Sequence, residues 1–321
     1  MISLEILRKE YWNRLTPYLI RFFYIIWGLI FLVVIEGCSP GKFLINRLSK
    51  SLDGVTDIYL TEDDPELVRE AFPFNLKTLE LLVQQSPDNA SLLTAAASGF
   101  ALYSYGFILE DADRMAAENI RESRPLYRRA RKLLERSYTY GLRALEARHP
   151  DFSAEFYTNP NSAMAALDKD DISAAYWTAA ALAGAISASQ GDPELLIHLP
   201  KVGLLLEFGY ANDPEWNSGA FISALMKYEM SRPDKTADSK EIAKNYYSRV
   251  LELTGGNDAA VFVAYAEIFS ISEQNRVEFT EMLQRALQVD INKNPQNRLA
   301  NILAQDRAQW LLMRIDELFY Y

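Results

Sequence analysis

Ala144-Leu145-Glu146-Ala147-Arg148-His149-Pro150 closes a long amphipathic stretch, and the way it closes decides the fold. A small residue and a large apolar one end a helix, and a turn residue follows four or five positions later. The same ending returns as Gly209-Tyr210 with Pro214, as Val250-Leu251 with Gly255, and as Ala286-Leu287 with Ile291. Upstream of the last two, Ala243 and Tyr247 match Phe279 and Leu283. A repeating helical ending implies a repeating helical pair, because one such pair cannot bury its apolar face alone.

The pattern resembles the tetratricopeptide repeat, with first helices at 174–190, 215–230 and 258–271. The repeat length is about 34 residues, so copies 36 to 41 residues apart carry insertions. Small residues let the two helices of a pair lie close, and aromatics fill the gap to the next pair. No stretch keeps the period-two alternation of a strand. The expectation is therefore all-α: a tetratricopeptide-like α-solenoid over residues 61–321, capped by a helix from Gln296 to Phe319.

Earlier in the chain, Thr61-Glu62-Asp63-Asp64-Pro65 reads as a helix start. Pro73 is expected to end that helix near Ala71, with a second beginning near Phe74. Further helices are expected over 91–109 and 124–148. The arginine-rich outer face of the latter reads as a solvated surface.

At the N-terminus, Phe22–Ile35 is an apolar run preceded by Arg8, Lys9, Arg14 and Arg21 and followed by Glu36-Gly37-Cys38. Fourteen apolar residues are short of the ~20 that cross a bilayer and suit a signal h-region. An aliphatic residue three before a cysteine, with glycine just before it, resembles a bacterial lipobox. The expectation is a leader over 1–37, an acylated Cys38 and a linker over 38–60. An uncleaved membrane anchor is the alternative. Lipoprotein sorting rules, with Ser39 rather than aspartate after the cysteine, mildly favour the outer membrane, facing the periplasm.

The totals exclude several functions. Lys and Arg number 33 against 43 Asp and Glu, a net charge of −10, which argues against nucleic acid. Cys38 is the single cysteine, so no thiol is left for a disulfide, zinc or a nucleophile. His149 and His198 have no histidine or cysteine at ligand spacing, and no metal or cofactor is expected. The acidic clusters Glu110-Asp111-Asp113 and Asp168-Asp170-Asp171 read as structural, the second as a helix cap. No catalytic motif is present, so the chain is not read as an enzyme.

Aromatic residues invite a binding reading. Tyr103, Tyr105 and Phe107 fall within five positions, and Tyr176, Trp177, Trp216 and Asn217 stand at the starts of first helices. They either pack helical pairs together or line a groove for a ligand or partner. On the last helix Arg298, Asn301 and Gln305 make a polar stripe beside Leu299, Leu303 and Trp310. That stripe is a candidate contact between helical pairs or subunits.

Four segments, YSYGFILEDADR (103–114), AAYWTAAALAGAI (174–186), ELTGGNDAAVFVAYAE (252–267) and RLANILAQDRAQWLL (298–312), resemble the tetratricopeptide lipoproteins of TRAP transporters, the T component. Ile291 and Glu36 depart from the usual motifs. The resemblance implies a periplasmic lipoprotein that associates with the extracytoplasmic solute-binding subunit of a tripartite ATP-independent periplasmic transporter. It also implies a homotrimer, with a cleft or pore for a small apolar ligand in each protomer. The alternative reading is a lipoprotein scaffold in envelope or outer-membrane protein assembly.

Overall fold

The computed structural model describes residues 58–320, and among them every regular element is helical. The leader, the lipobox and Cys38 lie outside the described residues.

Helix α1 spans Pro65–Gln85 without a break. Asp64 caps it, its carboxylate accepting the Glu66 and Leu67 N–H groups at 3.0 and 3.1 Å. The interruption expected at Pro73 does not occur. Val68, Phe72, Leu76, Leu79 and Val83 are all buried on one face, each contributing about 1.5–3 kcal/mol. Together they outweigh the ~3 kcal/mol cost of an internal proline. Pro73 itself sits on the exposed face, so the carbonyl it leaves unpaired can turn to water.

Ala90–Tyr103 (α2) runs through a π-helical segment, Ser104–Leu109, into α3 (Glu110–Glu118). By length and composition this rod could cross a membrane, but 72% of its apolar window is buried within the protein. Its apolar character is spent on the core. Helix α4 (Ile120–Glu146) packs along it, tied by the Ser137 hydroxyl donating to the Ala97 carbonyl at 2.6 Å. The arginines of α4 are not simply solvated, as the sequence suggested. Arg131 meets Asp192 at 2.8 Å, Arg136 meets Glu80 at 3.2 Å, and Arg143 donates to the Pro87 carbonyl at 2.9 Å. They clamp α4 to its neighbours.

Two short helices, α5 (Phe152–Thr158) and α6 (Pro160–Ala165), lead to α7 (Ile172–Ala188). Then come α8 (Pro193–Leu196), α9 (Leu199–Asn212), α10 (Trp216–Ser231) and α11 (Ser239–Thr254). Helix α12 (Ala259–Tyr265) continues as a second π segment, Ala266–Ser270, before α13 (Arg276–Leu287). The expected capping helix is two pieces, α14 (Arg298–Met313) and α15 (Ile315–Leu318), broken at Arg314. Neighbours in sequence pack as neighbours in space: α9 on α7, α11 on α10, α13 on α12, and α14 on both α12 and α13. One apolar core gathers around α1–α4 and takes in Leu299 of α14. A second gathers around α10–α14.

Candidate functional site: two adjoining cavities

Several helices turn small residues towards a common space. Ala183 and Ser187 on α7, Ala260 and Ala264 on α12, and Ala300 and Ala304 on α14 recur at four-residue steps, so each pair shares one helix face. Where such faces meet, side chains do not fill the gap. The result is a cavity of about 600 Å³, within the usual range for small-molecule sites. Tyr59, Phe72, Leu102, Phe107 and Leu303 supply the larger apolar surfaces.

Both π segments border this cavity: Tyr105, Gly106, Phe107 and Leu109 come from the first, Glu267 from the second. A π turn shifts the helix register and re-aims side chains, and such turns recur at functional sites. Tyr105 is held by its hydroxyl, which donates to the Ala180 carbonyl at 2.9 Å. Its ring lies against Gly184, where a Cβ would come within 2.7 Å of the hydroxyl. Burial pushes the Tyr105 pKa above the ordinary tyrosine value, so the side chain acts as a neutral donor.

One pole of the cavity is charged. Arg307 bonds Glu110 at 2.6 Å, Glu267 at 2.7 Å and Asp113 at 3.1 Å. Burial pulls the Arg307 pKa down, but Glu267, Glu110 and Asp113 outweigh it and hold it above the ordinary value. Arg307 is thus fully engaged. Lys227 is not: among the described residues it makes no ion pair within 4 Å and its ammonium makes no hydrogen bond. Its side chain is exposed to solvent within the cavities, with protein crowding it on several sides. Burial accordingly lowers its pKa, with Arg307 in the same direction and Glu267 and Asp258 opposing.

A second, more polar cavity of about 240 Å³ adjoins the first, and Lys227, Ala260 and Ala264 line both. Asn217, Ser218, Ser223 and Asn297 face it. Asn217, Ser218 and Gly219 form a left-handed turn, with φ of +45°, +57° and +82°. This conformation costs a non-glycine residue roughly 1–2 kcal/mol and aims Asn217 and Ser218 into the chamber. Asp258 caps α12, accepting the Ala260 N–H at 2.9 Å, and burial raises its pKa towards the neutral acid. Tyr176 walls the same chamber, its pKa pushed up to about 12 by burial and by Asp258.

The aromatics singled out in the sequence divide. Tyr105 and Phe107 line the large cavity and Tyr176 and Asn217 the small one. Tyr103 is core, stacked on Phe72 with ring centroids 5.9 Å apart. Trp177 packs edge-on against Tyr176 at 5.0 Å and belongs to neither cavity. Trp216 packs on Tyr176 at 4.9 Å and borders a separate surface depression.

On α14, Arg298 donates to the Thr61 carbonyl at 3.0 Å and Gln305 to the Val289 carbonyl at 2.8 Å. Trp310 lies under the guanidinium of Arg314, 4.7 Å from the ring centre. In the second acidic cluster Asp168 caps a short 3₁₀ turn, while Asp171 is fully buried between Arg148 at 2.6 Å and His149 at 2.7 Å. No group of three or more metal-ligating side chains occurs among the described residues.

Sequence reasoning missed Lys227, Ser218, Asp258, Glu267 and Arg307. A signal was present: Ala220, Ser223, Lys227 and Ser231 put one cation on an otherwise small-residue helix face.

The model of the family described as TRAP transporter T-component matches residues 61–319. An uncharacterized protein of Treponema pallidum (strain Nichols) is 26% identical over 301 residues, covering 88% of this chain and 93% of that relative.

Proposed function

Because this chain belongs to the family of TRAP transporter T-components, we propose that it is a periplasm-facing adaptor lipoprotein. In this reading Cys38 carries the lipid, with the outer membrane favoured. Degenerate tetratricopeptide pairs stack as an α-solenoid, three copies assemble, and the surface receives the extracytoplasmic solute-binding subunit. The large cavity takes a small apolar ligand, and no covalent chemistry is involved. The family match over 61–319 carries the transporter association. It lends nothing to the envelope-assembly alternative. The aromatic and alanine-lined cavity supports the ligand role.

The test is affinity purification of the tagged full chain from its native envelope in mild detergent. Recovery of a solute-binding subunit and its membrane partners is the expected result. Recovery of outer-membrane assembly proteins in their place would overturn the reading.

A further inference from the structure

Among the described charged groups that face the two cavities, Lys227 and Asp258 make no ion pair within 4 Å, and Lys227 alone also has no hydrogen bond to its charged group. Arg307 is saturated by Glu110, Glu267 and Asp113, so those carboxylates have little left to offer a cationic guest. Asp258 is occupied by the N-terminus of α12. Lys227 stands where the apolar chamber meets the polar one, since both include it in their walls. On the polar side the side chains of Asn217, Ser218 and Ser223 bring further hydrogen-bonding groups. The left-handed turn that presents two of them is costly for Ser218, and such strain persists where the surroundings impose it, often at binding sites.

Resting on the proposed role of the cavity as a ligand site, we infer that the two chambers form one bipartite site for an amphipathic anion. The apolar body occupies the space between α7, α12 and α14. The negatively charged head pairs with Lys227 and takes hydrogen bonds from Asn217 and Ser218. The physical reason is asymmetry of cost. An apolar guest without a charge strips water from the ammonium and returns nothing, and a buried unpaired charge is expensive. A cationic guest adds repulsion. A neutral hydroxyl can accept one bond from the ammonium, but only an anion replaces the lost hydration with a bond in which both partners are charged.

The experiment is calorimetric titration of the full chain in lipid nanodiscs with octanoate, octanol and octylammonium, subtracting protein-free nanodiscs. The wild type is expected to bind octanoate at least tenfold more tightly than either other probe. Lys227→Met should bind octanoate and octanol alike, and Lys227→Arg should keep the preference, which guards against a misfolded variant. Ala264→Trp, which fills the wall shared by both chambers, should lose all three. Equal binding of octanoate and octanol by the wild type would overturn the inference while leaving the apolar-ligand reading standing. Binding of none of the probes would overturn both. Retention of the tenfold preference in Lys227→Met would assign the head to another residue and overturn the inference.

Discussion

Asn301 on α14 holds the first turn of α12 through Ala259: its Oδ1 accepts the Ala259 N–H at 2.9 Å, and its Nδ2 donates to the Asn257 carbonyl at 3.2 Å. Asn301 is fully buried, so water cannot replace it. Asn301→Ala leaves a buried N–H unsatisfied, which costs about 1–3 kcal/mol. The expected outcome is a lower midpoint in chemical denaturation, with the loss concentrated in the wall of the two cavities.

Gly184 on α7 makes room for the Tyr105 ring. A Cβ there would stand 2.7 Å from the tyrosine hydroxyl and 2.9 Å from Leu134 Cδ2. Gly184→Ala should therefore destabilise the fold by about 1–3 kcal/mol, the usual range for overpacking. It should also loosen Tyr105 from the Ala180 carbonyl. Thermal denaturation measures the first effect, and tyrosine fluorescence or NMR of Tyr105 the second.

Arg307 joins α14 to α3 and to the π segment after α12. Arg307→Met leaves Glu110, Asp113 and Glu267 facing one another. The expected loss is about 3 kcal/mol, the low end for breaking a buried pair by removing one partner, because all four side chains keep some solvent contact.

Lys227 is expected to behave oppositely. Its folded pKa lies below the ordinary lysine value, chiefly through burial, with Arg307 adding to that and Glu267 and Asp258 opposing. The unfolded chain then binds more protons between the two values, so this group's contribution makes stability rise with pH across that alkaline window. At pH 7 the charge is a net cost. Lys227→Met should raise the melting temperature at pH 7, and the gap to the wild type should narrow as pH climbs through the window. A loss of stability at pH 7 would show that the ammonium is paired in solution.

Much of the helical plan was legible because it is local. Gly209 was read as a close-approach residue, and a Cβ there would run into the Phe221 ring. Helices α7, α10 and α12 begin within two residues of the positions read from periodicity. Pro73 was misread because its local cost is visible in sequence, whereas the tertiary burial that offsets it is not. The cavities were illegible for the same reason. Alanines on α7, α12 and α14 read as close-packing residues, and only the three-dimensional arrangement reveals that they face an unfilled space. The two π segments leave no periodic signature of their own. Asn217-Ser218-Gly219 did carry a hint, since asparagine and glycine tolerate the left-handed region, but the apolar helix after it masked the turn.

The proposed adaptor role rests on physical association with a solute-binding subunit. Sedimentation-velocity titration of the purified full chain in detergent against the purified extracytoplasmic subunit of the same transporter measures this directly. A complex at micromolar or lower concentrations, with a defined stoichiometry, is the expected result. Independent sedimentation of the two proteins at the highest concentrations reached, with both folded, would contradict it.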